Sequence, residues 1–253
     1  MKMLISPAKS LQFDKQLPTT VQTQPQFSLE AEKINSLLKK KSPKKLGELM
    51  HISDKLAELN WERNQSFGMS ESKASARPAI FTFNGDVYQG LDAFTLNEKK
   101  IDQMQSQLRI LSGLYGLLRP LDAIQPYRLE MGTAFQVGTH KNLYAFWKDR
   151  ITQQLNAEMQ EDELFVNLAS NEYFSAVDVN KLNAEIITPQ FKDFKNGKLK
   201  IISFFAKKAR GMMVRHLIDN NASQLDDILS FSTEGYSFSE VETKDPLSPV
   251  FVR

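Results

Sequence analysis

Side chains able to do chemistry bunch at four places in this 253-residue chain: Ser6-Pro7-Ala8-Lys9, Asn84-Gly85-Asp86-Val87-Tyr88, Ser170-Asn171-Glu172, and Lys207-Lys208-Ala209-Arg210. The cations Lys9, Lys207, Lys208 and Arg210 are of the types that hold phosphate or another anion. Asp86, Tyr88 and Glu172 are candidate acid/base groups if a reaction takes place beside them. A nucleic-acid backbone needs only the cations, whereas a catalytic cleft needs carboxylates as well. Two function classes are therefore open from the residue types alone.

Each cluster has to be positioned by an element. Lys2 to Ile5 reads as a short buried strand that ends at Ser6, and in open α/β sheets ligands bind at the carboxyl ends of strands. Ala79 to Phe83, Leu164 to Leu168 and Leu199 to Phe205 are apolar runs that also read as buried strands. If all four share a sheet in similar orientation, the clusters line one edge. After Leu199–Phe205 the spacing predicts a helix over Ala206–Asp219, with Ala209, Met212, Met213, Leu217 and Ile218 on its apolar face. Lys207, Lys208 and Arg210 then crowd its first turn, where free N–H groups and the macrodipole are already positive. A solvated basic face is one explanation, and an anion collected there is the other.

The other elements read as scaffold. Asp14–Gln26 lacks periodicity and reads as an extended surface loop. Leu29–Lys41 is helical, with Leu29, Ile34, Leu37 and Leu38 inward and three lysines at its end, where cations suit the dipole. Ser42-Pro43 starts a short helix to Met50, and Ser53-Asp54 caps another over Lys55–Gln65. Thr95 reads as the cap for a helix face of Ile101, Met104, Leu108 and Leu111. Arg109–Gly132 is Leu-rich, broken by glycines and prolines, and reads as a buried strand or turn assembly. Its Arg119 and Arg128 either pair with Asp122 and Glu130 or aim at an anion. Asn142–Met159 is an amphipathic helix with Trp147 in the core. Asn196-Gly197 marks a hairpin, so the sheet is mixed.

Composition narrows the classes further. The chain has 41% hydrophobic and 25% charged residues and a net charge of +2, so a basic footprint must come from local clustering. There is no cysteine, which excludes disulfides and thiolate metal sites, and His51, His140 and His216 are scattered. No metal and no cofactor are expected. No apolar run approaches membrane-spanning length, and the N-terminus has too short an apolar segment for a signal peptide. A cytoplasmic protein without membrane contact is expected.

Two resemblances add to this. The segment Leu46-x-x-Leu49-Met50-His51-Ile52-Ser53-x-x-x-Ala57 is similar to the helix-hairpin-helix pattern L-x-x-L-P-G-I-G-x-x-x-A, with His51 and Ser53 at both turn glycines. Lys44, Lys45 and Lys55 flank that turn as candidate phosphate contacts. SPAKS, HISDKLAELN, FNGDVYQGL, LRILSGLYGLLRPLDAIQPYRLEMG, NLASNEYF, KLNAEII and IISFFAKKARGMM together resemble the YaaA family of bacterial peroxide-stress proteins, from Lys2 to about Tyr236.

The family resemblance implies one α/β domain over residues 1–253, of α+β mixed character, with a mixed sheet flanked by helices. It also implies a helix-hairpin-helix-like element near residues 44–65 and a basic cleft. It implies binding of double-stranded DNA without strong sequence preference, and protection against hydrogen peroxide by limiting free iron and Fenton damage. Double-stranded or branched DNA is the expected partner. The expected DNA or anion contacts are Lys9, Lys44, Lys45, Lys55, Arg128, Lys207, Lys208 and Arg210. A monomeric binding protein is favoured, with an enzyme acting on a nucleotide or other small anion in the same cleft as the second reading.

Overall fold

The computed structural model describes residues 1–68 and 76–253. Its first half runs β1 (Lys2–Ile5), β2 (Ser10–Leu11), α1 (Ser28–Leu38), α2 (Pro43–Met50), α3 (Asp54–Ser66), β3 (Arg77–Pro78), α4 (Ala79–Thr82), β4 (Phe83–Asn84), α5 (Asp86–Leu91) and α6 (Glu98–Gln107). Next come β5 (Leu108–Ser112), β6 (Gly116–Leu118), β7 (Ala123–Ile124), α7 (Leu143–Glu158), β8 (Phe165–Asn167) and α8 (Asn171–Phe174). The rest is β9 (Ile186–Ile187), β10 (Gln190–Lys195), β11 (Lys198–Lys200), α9 (Ser203–Asp219), α10 (Leu225–Leu229), β12 (Ser237–Phe238) and β13 (Val250–Val252). This is an α/β architecture of several sheets with helices against them.

The organising sheet has the order β6-β5-β1-β8-β9. β1 is parallel to both β5 and β8, β9 is parallel to β8, and only β6 is antiparallel. Met3, Leu4 and Ile5 are fully buried, as the apolar β1 requires of a central strand covered on both faces. Because β5 and β8 lie on opposite sides of β1, the chain leaves β1 at a topological switch point. The loops after β1, β8 and β9 leave from the same edge of the sheet. A second sheet, β11-β10-β13-β12, contains the Asn196-Gly197 hairpin, with both turn residues at positive φ (55° and 71°).

Helix starts follow local chemistry. The Ser42 side chain accepts from the Lys45 N–H at 3.4 Å with Pro43 at the first helical position. Asn97 and Asn142 cap α6 and α7 through their carbonyl oxygens. Thr95, expected as the cap of α6, instead closes a short 3₁₀ turn at Ala93–Thr95. Trp147 is fully buried and donates to the Gly113 carbonyl at 2.9 Å, so it belongs to the core.

Four further expectations are corrected. Ala79–Phe83 is one helical turn followed by a two-residue strand; all five residues are buried, and an apolar run buried on every side has no period that separates helix from strand. Leu108 and Leu111 continue no helix, since α6 ends at Gln107 and both lie in β5. Leu29 is 79% exposed, and Ala31, Ile34, Asn35 and Leu38 form the inner face of α1.

The fourth concerns Leu199–Phe205, which is no buried strand. β11 stops at Lys200 and α9 begins at Ser203, leaving Phe204 53% and Phe205 37% exposed. Lys207, Lys208 and Arg210 consequently sit beyond the first turn of α9, and the argument from the helix end loses most of its force for them.

α9 is held against α5 by a crossing closer than side chains allow. A Cβ on Gly211 would lie 1.8 Å from the Val87 carbonyl oxygen, and one on Gly90 would lie 2.1 Å from the Lys208 carbonyl oxygen. Glycine on both helices lets the backbones touch. That contact brings the start of α5, with Asp86, beside the second and third turns of α9.

Candidate functional site

The loops at the carboxyl edge of the central sheet and the α5–α9 pair enclose a cavity of about 440 Å³. Ser6 to Ser10 line it from the loop after β1, Asn84 to Tyr88 from the start of α5, and Leu168, Ser170, Glu172 and Tyr173 from the segment after β8. Lys207 and Arg210 close it from α9. All four clusters singled out in the sequence therefore meet. Only two of them, those after β1 and β8, arrive on strands of one sheet. The other two arrive on the glycine-mediated helix crossing.

The floor is fixed by hydrogen bonds between loops far apart in sequence. Ser6 Oγ accepts from the Ser170 N–H at 2.9 Å and lies 3.2 Å from Ser170 Oγ. Tyr88 is buried and its hydroxyl donates to the Ser6 carbonyl at 3.0 Å. Burial, and then the neighbouring Tyr127 and Tyr173, push the Tyr88 phenol well above its usual range, so it stays protonated at every physiological pH. Glu172 accepts from the Gly132 N–H at 3.1 Å through one oxygen. Asp86 sits half-buried in the first turn of α5.

The cations divide into two groups. Arg210 is largely desolvated, which lowers its pKa from the usual guanidinium value, and it has no carboxylate, carbonyl or ring partner among the described residues. A shielded arginine without a counter-charge is costly unless an anion reaches it. Lys207 likewise has no ion-pair partner among the described residues. Lys9 is mostly exposed and lies 3.5 Å from Glu130.

The remaining candidates have other positions. Lys208 turns away to Glu234 at 2.6 Å. Arg128 pairs with Glu130 at 2.9 Å, and the two line a small recess beside the main cavity together with Lys9. One atom of each partner, Arg128 Nε and Glu130 Oε2, is buried without a hydrogen bond among the described residues. Arg119, weighed between ion pair and anion contact, holds Asp122 at 3.0 Å, so the structural pairing applies.

Lys44, Lys45 and Lys55 belong to the packed pair α2–α3 and line neither the cavity nor the recess. Lys45 lies 3.5 Å from Glu48. At the turn between these helices, His51 takes the left-handed conformation (φ 51°) that a glycine would adopt without strain. Ser53 is extended (φ −64°) and needs no glycine.

Sequence reasoning missed a second chamber. A cavity of about 490 Å³ adjoins the first and shares Ser170, Glu172, Lys207 and Arg210 with it. Its far side comes from Asn167 at the end of β8, from Thr188, Pro189 and Gln190 after β9, and from Ile201 and Ser203 before and at the start of α9. β9 has two residues, too few to show a period, so Thr188-Pro189-Gln190 carried no sign of lying past a strand.

Comparison with known proteins gives matches over nearly the whole chain. A family model described as peroxide stress protein YaaA matches residues 1–242. A UPF0246 protein of Flavobacterium johnsoniae is 60% identical over 238 residues, 94% of each chain. UPF0246 proteins of Shewanella woodyi and Hahella chejuensis are 51% identical over 255 residues and 50% identical over 241. The first alignment covers 100% of this chain and 99% of the relative, and the second covers 94% of each. The chain belongs to the YaaA (UPF0246) family of peroxide stress proteins.

Proposed function

We propose that this member of the family serves the peroxide stress response by binding double-stranded DNA along its phosphate backbone, with little sequence preference. Lys9, Lys207 and Arg210 make the contacts. The observation that carries the reading is Arg210, a shielded guanidinium without a partner among the described residues, in a cleft that Lys207 and Lys9 also line. Phosphate oxygens are the acceptors that suit such a group. Limiting free iron and Fenton damage belongs to the same proposal as a consequence of DNA binding. Direct chelation is no part of it, because the chain lacks cysteine and no cluster of three or more His, Asp or Glu able to hold a metal occurs among the described residues.

Two carboxylates, Asp86 and Glu172, line the same cavity and favour a second reading, an enzyme acting on a small anionic substrate. Anisotropy titration of a labelled duplex at low salt separates the possibilities. The triple variant Lys9→Ala/Lys207→Ala/Arg210→Ala is expected to lose affinity for all duplex sequences alike. The triple variant Lys44→Ala/Lys45→Ala/Lys55→Ala is expected to lose less. Undiminished binding by the first variant would remove the cleft from DNA recognition, and thermal stabilisation by a nucleotide without DNA affinity would put the enzyme reading first.

A further inference from the structure

The two chambers share Ser170, Glu172, Lys207 and Arg210, and their other walls differ in chemistry. The first adds Asp86 and Ser6. The second adds neutral hydrogen-bonding groups next to small apolar faces. Asn167 is 4% exposed, with its carbonyl oxygen taken by the Ala169 N–H at 3.1 Å. Among the described residues its amide nitrogen has only a long 3.5 Å approach to Thr188 Oγ1, which leaves donor capacity unspent in a buried place. Gln190 gives one amide hydrogen to the Thr188 carbonyl at 3.2 Å, and its carbonyl oxygen has no donor among the described residues. Pro189 and Ile201, the latter 56% exposed, supply apolar surface on the same chamber.

A free donor and a free acceptor on neighbouring amides beside apolar faces suit the edge and faces of a flat heterocycle. The cations shared with the first chamber, Lys207 and Arg210, suit a phosphate attached to it. We infer that the second chamber is a nucleotide site: Lys207 and Arg210 hold the phosphate, Asn167 and Gln190 hydrogen-bond the base edge, and Pro189 and Ile201 flank the ring. The inference deepens the proposed function, resting on its assignment of Lys207 and Arg210 to phosphate. The same chemistry is presented by a free nucleoside monophosphate and by an unpaired nucleotide within a DNA strand.

Calorimetric titration of the full chain with a deoxynucleoside 5′-monophosphate, 2-deoxyribose 5-phosphate and inorganic phosphate tests it. The nucleotide is expected to bind about tenfold or more tightly than the other two, the gain from one or two ring hydrogen bonds. Gln190→Ala, at a half-buried position whose loss leaves the core intact, should bring the nucleotide down to the level of deoxyribose phosphate without changing the latter. Equal affinity for nucleotide and deoxyribose phosphate, or an unaltered nucleotide affinity in Gln190→Ala, overturns the inference.

The source is read from two labelled duplexes, one fully paired and one with a single unpaired nucleotide. Preference for the second that is lost in Gln190→Ala identifies a strand nucleotide. No preference, with tight mononucleotide binding, identifies the free nucleotide. Fully paired duplex should be insensitive to Gln190→Ala and sensitive to the triple cation variant. Loss of the nucleotide result alone therefore refutes the second chamber, and loss of the triple-variant result alone refutes DNA binding by the cleft.

Discussion

Gly211→Ala puts the geometry of the cleft under direct strain. The new methyl carbon would sit 1.8 Å from the Val87 carbonyl oxygen and 2.8 Å from the Leu91 nitrogen, both backbone atoms of α5. Helices α5 and α9 must part by about 1.2 Å or more to reach the 3.0 Å below which such contacts are not found. Two effects oppose each other. Alanine is the better helix former by about 1 kcal/mol in a helix interior. Overpacking against a backbone that cannot rotate away costs about 3 kcal/mol, the upper end of the usual range.

The clash wins, leaving a net loss of about 2 kcal/mol and a fall in Tm of roughly 4–8 °C for a chain of this size. Gly47→Ala in α2 is the control. It gains the same propensity term but meets Ala57 Cβ at 3.4 Å, an ordinary contact, so it should raise Tm slightly. Thermal unfolding followed by circular dichroism measures both. If Gly211→Ala melts at or above the wild-type temperature, the close crossing does not hold α5 and α9 in place, and the account of how Asp86 and Arg210 come to line one cavity fails.

Three further outcomes are expected. Arg253→Ala strands the carboxylate of Asp193, 4% exposed, which accepts from Arg253 Nε and the Tyr236 hydroxyl at 2.8 Å each. It should cost about 3 kcal/mol in chemical denaturation, and adding Asp193→Asn should recover part of that. Asp227 accepts from the Ser223 and Gln224 N–H groups, and these bonds, with a small contribution from His216, hold its pKa below the usual carboxylate value. A depressed folded pKa gives stability that is present above the unfolded value, about 3.9, and is lost as pH falls through the folded one. The wild type should accordingly lose more Tm on acidification than Asp227→Asn. With Trp61→Phe, the remaining fluorescence of Trp147 should be blue-shifted and resist acrylamide, both with and without DNA, as a fully buried indole requires.

Much of the site was legible before the fold was. Ser6/Lys9 and Ser170/Glu172 follow apolar runs that really are neighbouring parallel strands, so the rule that ligands gather past strand ends applied to them directly. Asp86 and Arg210 line the same cavity for a different reason. Their preceding runs are a buried helical turn and a partly exposed helix start, and what unites them is Gly90 meeting Gly211, a contact between backbones that leaves no hydrophobic period behind. Lys208, one residue from Lys207, faces Glu234 because successive helical positions point about 100° apart, which a dense basic run conceals. Asn167 and Gln190 escaped notice because neutral amides carry no charge pattern, and their chamber forms only when β8, β9 and α9 come together.

The central claim is that Lys207 and Arg210 neutralise phosphate. The most direct measurement is the salt dependence of duplex affinity for the wild type, Lys207→Ala and Arg210→Ala. Each phosphate contact contributes about 0.9 to the slope of log K against log salt concentration, so each single variant should bind more weakly and lose roughly one unit of slope. Variants that fold as the wild type does and keep its full slope and affinity would contradict the account.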